Sequence, residues 1–309
     1  ADTRGSRCIS MSDSATEKTR LYIADNSNNL LRRADTASWV NLNFGNAQSV
    51  GDASYRFTDL AEYNGTVYVF KEDSLWNVSG NKPIRVPIGL DTMPSRHNGV
   101  AWMSQDLFLY FNWAFSIEQL YGSTLNDVGP WKGDGLPSGY GGHFAALCPG
   151  IGTMFAALDG GTANTSAILV WNKIGWHEIF RGWTTGKRIR SVFWQGNFDG
   201  NPYLWFDVNG ELMYMVWPKD TLNPLNDSAV TYQHEGVLTQ SYIDLQTASL
   251  PKLYSDVTLH LKNATATGRE VRVDYQYDDD VGSSTWYEAG IIHELPYGTL
   301  SLMLGNRRN

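Results

Sequence analysis

The chain has 309 residues, enough for two ordinary domains or one large all-β domain, so it needs no disulfide framework to hold a core. Only 18% of its residues are charged, while 30 Gly, 12 Trp and 16 Tyr make an aromatic, turn-rich mixture that favours strands over long helical bundles and coiled coils. The formal net charge of -8 sets a field that repels phosphate backbones and argues against a nucleic-acid partner.

Cys8 and Cys148 are too distant in sequence for a CxxC clip, and neither has a His at ligand spacing, so no metal or redox centre is expected of them. The opening residues ADTRGSRCIS carry neither an initiator Met nor the basic-then-apolar pattern of a secretory signal, and the chain reads as a segment of something longer. No apolar run approaches about 18 residues, and no membrane insertion is expected.

In chain order, the apolar stretches repeat. CISM at Cys8 to Met11 precedes a strand centred on Tyr22 (LYIAD), and LAEY at Leu60 to Tyr63 precedes one centred on Tyr68 (VYVF). VAWM precedes Leu109 (LFLY), FAAL precedes Phe155 (MFAAL), and SVFW precedes Leu204 (YLWF). These centres lie 46, 41, 46 and 49 residues apart. After four of them an apolar residue returns seven or eight positions later, at Leu30, Leu75, Ile117 and Leu212. The intervening Asn28 and Asn29, Lys71 to Ser74, and Asn209 with Gly210 are suited to tight turns. In the fourth copy the return moves to Leu169 because GGTANTS is inserted at Gly160 to Ser166, where a surface loop is expected.

A repeat of about 40 to 50 residues with three or four antiparallel strands predicts a β-propeller. Five repeats are visible, and five to seven blades are compatible with the length; an irregular β-sandwich is the rival architecture. From about Gly236 the texture changes to period-two alternation in GVLTQSYIDL, KLYSDVTLHLKN, REVRVDYQYDDD and TWYEAGIIHEL. The expected organisation is a propeller over residues 1–235 and a small antiparallel β-sandwich, itself incomplete, over 236–309. The polar segment KDTLNPLNDS at Lys219 to Ser228 marks the approach to the boundary.

The segments LYIADNSNNLLRR and NGTVYVFKEDSLWNV, followed by SYIDLQTASLPKLYSDVTLHLKNATATGREVRVDYQYDDD, resemble the propeller-plus-sandwich proteins encoded among the virion structural genes of tailed bacteriophages. The similarity is one of pattern and runs from about Thr19 onward. It implies a virion subunit of the tail, baseplate or adsorption apparatus, not a catalyst. Such a subunit would assemble with other virion proteins, including copies of itself, and would meet host surface carbohydrate. The alternative is a secreted bacterial propeller that binds carbohydrate or cleaves glycosides.

Carboxylates recur near strand ends at Asp25, Asp59, Asp106, Asp159 and Asp207, and strand ends that converge on one channel mouth could pair two acids as in a glycosidase. The Asn or Gly neighbours of Asp25, Asp159 and Asp207 favour turn-capping acids instead. DDDVGSSTW at Asp278 to Trp286 resembles the Asp-box turn of sialidase-like propellers with one residue too many, and reads as a solvated hairpin tip without the distal Glu of a calcium loop. The six His form no metalloprotease spacing, GYGGH lacks the Lys-Ser or Lys-Thr of a phosphate loop, and no G-x-S-x-G elbow occurs. No catalytic residue, cofactor or metal is expected. Nine of the twelve Trp fall between residues 102 and 217, and most belong to inter-blade packing. Trp131 (GPWKGDG) and Trp183 (RGWTTGK) sit in turn-rich loops and are the candidate contacts with a partner or a sugar.

Overall fold

The computed structural model describes residues 7–13, 18–36, 44, 46–79, 82–90, 93–130, 140–198, 200–217, 256–260, 270–276, 285–293 and 297–301. Contacts divide the chain into two units, Ala1–Gly236 and Val237–Asn309. Every regular element among the described residues is a β-strand.

The first unit is a β-propeller in which the described residues form five antiparallel sheets, each a meander in sequence order. The first contains β1 (Arg7–Asp13), β2 (Lys18–Asp25), β3 (Leu30–Thr36) and β4 (Asn46–Ser49). The second contains β5 (Phe57–Tyr63), β6 (Thr66–Lys71), β7 (Leu75–Ser79) and β8 (Lys82–Arg85). The third runs β9 (Trp102–Gln105), β10 (Phe108–Trp113), β11 (Ser116–Tyr121) and β12 (Thr124–Asp127). The fourth runs β13 (His143–Pro149), β14 (Met154–Asp159), β15 (Ala167–Trp171) and β16 (Trp176–Arg181). The fifth has three described strands, β17 (Val192–Phe198), β18 (Asn201–Val208) and β19 (Glu211–Val216). The first strands of successive sheets lie against one another, β1 on β5, β5 on β9, β9 on β13 and β13 on β17, which makes them the inner strands of the blades.

Turn chemistry explains the hairpins. Asn64 with Gly65 and Asn209 with Gly210 both take positive φ, as a two-residue turn between twisted strands requires, and Asn29 does so in the first blade. The GGTANTS insertion exposes its tip, while its base folds back so that the Ser166 hydroxyl accepts the Gly160 N–H at 3.0 Å.

Among the described residues the core forms four inter-blade layers. Tyr22, Ala24 and Leu31 of the first sheet pack on Leu60, Val67 and Val69 of the second. Tyr68, Phe70 and Leu75 meet Leu109, Phe111 and Trp113 of the third. Tyr110 and Ile117 meet Phe144, Met154, Ala156 and Leu158 of the fourth. Phe155, Ala157 and Ile168 meet Leu204, Phe206 and Val208 of the fifth. Each large side chain buried in these layers stabilises by roughly 1.5–3 kcal/mol.

The structure shifts two of the repeat centres by one residue. Leu109 and Leu204 point back to the preceding blade, whereas Tyr22, Tyr68 and Phe155 point forward to the next. A slip of one residue in a strand exchanges its faces, so the true aromatic column is Tyr22, Tyr68, Tyr110, Phe155 and Trp205.

The second unit is a small β-sandwich of two antiparallel pairs. β20 (Asp256–His260) pairs with β23 (Tyr297–Ser301), and β21 (Val271–Tyr275) pairs with β22 (Tyr287–Ile292). β22 lies against β23, and Ile292 is buried.

Candidate functional site

The five recurrent carboxylates do not share one mouth. Asp25, Asp159 and Asp207 sit where the second strand of a blade ends, Asp59 lies inside β5, and Asp106 occupies the β9–β10 turn at the opposite end of its sheet. Asp25 accepts the Ser27 N–H at 3.1 Å, Asn28 Nδ2 at 2.9 Å and Arg32 Nε at 3.0 Å. Burial pushes its pKa up, but those bonds outweigh burial and hold it below the ordinary carboxylate value. Asp207 accepts the backbone N–H of Arg190 at 2.8 Å and of Ser191 at 2.7 Å. Asp106 is an exposed partner of Lys173 at 3.7 Å.

These polar groups fasten the connections between blades. Lys71, fully buried at the end of β6, donates from Nζ to Asn29 Oδ1 (2.7 Å), Val50 O (2.6 Å) and Asp52 O (2.5 Å), clamping the segment that enters the second blade. Asn112 does the same for the third: its Oδ1 accepts the Ala101 N–H at 2.9 Å and its Nδ2 donates to His97 O at 2.6 Å. Asp159 holds the segment entering the fifth blade through Arg188, whose closest approach is 2.7 Å.

Two histidines absent from any motif are brought together here. The rings of His97 and His143 lie with centroids 3.7 Å apart and planes tilted by 34°, beside Asp159, Arg188 and Arg96. Burial, then the neighbouring Arg96, lowers the pKa of His97; burial, then His97 itself, pushes His143 down to about 4. Both are therefore neutral at pH 7, and Asp159 is committed to Arg188. The signal was in the numbering, since 143 minus 97 is 46, one blade repeat. Among the described residues, no group of three or more His, Cys, Asp or Glu comes together as a metal site.

Asp59 has the most perturbed carboxyl. Burial pushes its pKa up to about 6, against the Leu60 N–H at 2.8 Å, the Arg7 charge at 3.7 Å and the Trp102 side chain. A group whose folded pKa is raised is most favourable to folding below its unfolded pKa near 3.8, and that contribution is lost as pH rises through about 6. Asp59→Asn is therefore expected to stabilise the propeller by about 2 kcal/mol at pH 8, with the gain fading to nothing near pH 4. Urea unfolding at three pH values reads this directly; a gain that does not change with pH would refute it.

Trp131 lies outside the described residues. Trp183 projects from the loop after β16 with 57% of its surface exposed, its ring edge-on to Phe180 at 6.3 Å. The loop is tied down by Gly182 N–H to Ser166 O (2.8 Å) and Gly186 N–H to Asn164 O (3.4 Å). An open cleft of about 260 Å³ lies between the second and third blades, lined by Tyr63, Asn64, Gln105, Asp106 and Tyr121 among others. Asp278, Asp279 and Asp280 lie outside the described residues.

Among the described residues, exposed aromatic side chains gather on the outer face of the fifth sheet. The register places Phe193, Trp205 and Tyr214 in one cross-strand row, Tyr203 and Val216 in the next, and Leu212 beside Asp207. Trp205 stands 5.1 Å from Tyr214 and 5.9 Å from Tyr203 between ring centroids, and its indole N–H donates to Gln195 Oε1 at 2.9 Å. Phe193, Leu212 and Tyr214 are 61%, 72% and 59% exposed. A rigid aromatic cluster left in water is the composition of an interface centre, not of a neutral surface.

Comparison with protein-family models and with curated protein sequences returns no match. Among solved structures, the chain is similar to a chain of the nidogen/laminin complex, with TM-score 0.42 and 12% identity over 64% of this chain and 71% of that one. It is also similar to a chain of the mitotic checkpoint complex, with TM-score 0.42 and 10% identity over 69% of each chain.

Proposed function

We propose that this chain is a non-catalytic structural subunit of a tailed-bacteriophage virion, in its tail, baseplate or adsorption apparatus. The observation that carries the assembly role is the exposed aromatic face of the fifth sheet, on blades where Asp159 and Asp207 are bonded into the connections. The virion context rests on the sequence pattern of propeller followed by sandwich. In this reading the propeller is a stiff frame that protects its sheet edges and holds contact surfaces in fixed positions.

Mass spectrometry of purified particles tests the assignment: peptides of this chain should copurify with infectious virions at constant stoichiometry. Their absence, or a genomic neighbourhood of transport and sugar-catabolism genes in place of terminase, portal and tail-tube genes, would overturn it. Hydrolysis of host polysaccharide by the purified chain, abolished by Asp25→Asn, Asp106→Asn or Asp207→Asn, would replace it with the glycosidase reading.

Trp183 is the proposed contact residue on the loops. Because more than half of its ring is in water, Trp183→Ala is expected to change folding stability by less than about 1 kcal/mol. It should reduce incorporation into particles or adsorption to host cells by about tenfold or more. A large fall in melting temperature with unchanged adsorption would make Trp183 a packing residue.

A further inference from the structure

We infer that His97 and His143 form an acid-sensitive latch: in mildly acidic solution their protonation loosens the junction of the third, fourth and fifth blades before the propeller unfolds as a whole. The device belongs to the fold and does not depend on the virion assignment. Segments of three blades meet here. His97 stands on the segment 93–98 that enters the third blade. Bonds that do not titrate hold that segment to the second and third blades: Ser95 N–H and Asn98 Nδ2 donate to Glu72 O at 2.9 Å, and Asn112 Nδ2 donates to His97 O at 2.6 Å. The His97 ring carries the contact to the fourth blade. His143 opens β13, the inner strand of that blade, in register with Asp159 at the end of β14. Arg188 and Arg190 arrive on the segment that enters the fifth blade.

The geometry suits the pair only in its neutral form. Arg96 Nε–H donates to His97 Nε2 at 3.3 Å, so that nitrogen presents its lone pair, and a proton there would set one N–H against another. The His143 ring lies 3.7 Å away between centroids, and both residues are half-buried, where the repulsion of two imidazoliums is stronger than in bulk water. Among the described residues, the charged side chains acting on the pair are Arg96, Asp159 and Arg188. Asp159 already takes Arg188 at 2.7 Å and lies 3.7 Å from Arg190. Of the other strands packed on β13, β9 and β17 carry no titratable side chain, and Tyr110 on β10 and Glu118 on β11 do not act on the rings. Protonating both rings therefore gathers two imidazoliums and the guanidiniums of Arg96, Arg188 and Arg190 about the single carboxylate of Asp159. An imidazole whose folded pKa is depressed contributes fully to stability above its unfolded value near 6.5, and loses that contribution as pH falls toward the folded value, about 4 for His143. The sensitive window is thus pH 6.5 to 4, the range in which histidine clusters serve as switches. Residues 1–96 contain no histidine, so the first two blades have no such response and serve as an internal reference.

Hydrogen exchange read by mass spectrometry at pH 7.5 and 5.0, corrected for intrinsic exchange, tests the latch on the full chain. In the wild type, opening of the amides in 99–103 and 143–148 should become about tenfold or more easier at pH 5.0, while 57–71 in the second blade changes less than about twofold. In the His97→Gln, His143→Gln double variant, which takes up no proton at this site, the junction should change less than about twofold. Arg96→Gln removes an exposed cation and should reduce the wild-type response about threefold. Unchanged protection of the junction in the wild type would overturn the latch. A loss shared by the double variant would do so as well, by assigning the acid response to carboxylates, and a loss spread equally over 57–71 would show global unfolding instead. Should the double variant fail to fold, an acid response undiminished in Arg96→Gln would be the overturning result.

Discussion

Replacing Lys71 by Met is expected to lower the melting temperature of the propeller by roughly 6–12 °C, the counterpart of about 3 kcal/mol. Two effects oppose each other. Removing a buried ammonium relieves its desolvation, the same effect that leads the lowering of its pKa below the ordinary lysine value. Removing it also strands its three acceptors, and two of these are the main-chain carbonyls of Val50 and Asp52, which no side-chain substitution takes away. A buried charge exchanged together with its partners can leave stability unharmed, but a buried partner left unpaired is costly. The second effect wins here because Val50 is fully buried and no water reaches it to substitute. Lys82→Met on the exposed β8 is the control, with an expected change within about 0.5 kcal/mol. Equal melting shifts for the two variants would show that the clamp contributes nothing.

Much of the blade architecture was legible because hairpin turns and apolar returns recur at a fixed interval. FLYFNW is buried on both faces and YLWF carries large apolar side chains on both faces, so neither apolar run has the alternation that tells one face from the other. Apolarity alone therefore does not separate Leu109 and Leu204 from Tyr110 and Trp205, which occupy the column. Lys71 stands in KEDS, a charged turn by every local sign, yet two of its three acceptors are carbonyls of a connection about twenty residues earlier that leave no mark in sequence.

The polar residues show the same division. Asp25 and Asp159 read correctly as turn acids, since Asp25 accepts the Ser27 N–H and Asp159 the Gly161 N–H two residues on. Their ion pairs with Arg32 and Arg188 were not legible, because Arg188 lies 29 residues beyond Asp159 and enters from the next blade. The closeness of His97 to His143 follows from the repeat interval once the inner strands are known to lie side by side. Residues at equal positions in neighbouring blades meet near the axis, and this rule would have paired them. Trp183 was placed in its loop from Gly182 and Gly186, but its exposure depends on how far Phe180 covers it.

Gly99→Ala is expected to destabilise the propeller by about 3–5 kcal/mol, a fall in melting temperature of roughly 6–20 °C. Gly99 opens the third blade with φ +67, and its N–H donates to Asn112 O at 2.7 Å, so the backbone is pinned in the left-handed region. That conformation costs an alanine about 1–2 kcal/mol. The larger cost is steric. A Cβ on Gly99 would lie 2.5 Å from Phe70 Cγ and Cδ1, and Phe70 is fully buried with Phe111 at 5.2 Å on its far side. The ring has no solvent-facing direction to yield into, and overpacking of this kind typically costs a further 1–3 kcal/mol or somewhat more. Gly210 separates the two contributions, because it has φ +89 and open space where its Cβ would be. Gly210→Ala should therefore cost only the backbone part, about 1 kcal/mol. If the two alanine variants melt together, the Phe70 contact is not close enough to matter and the junction between the second and third blades is looser than its side chains indicate.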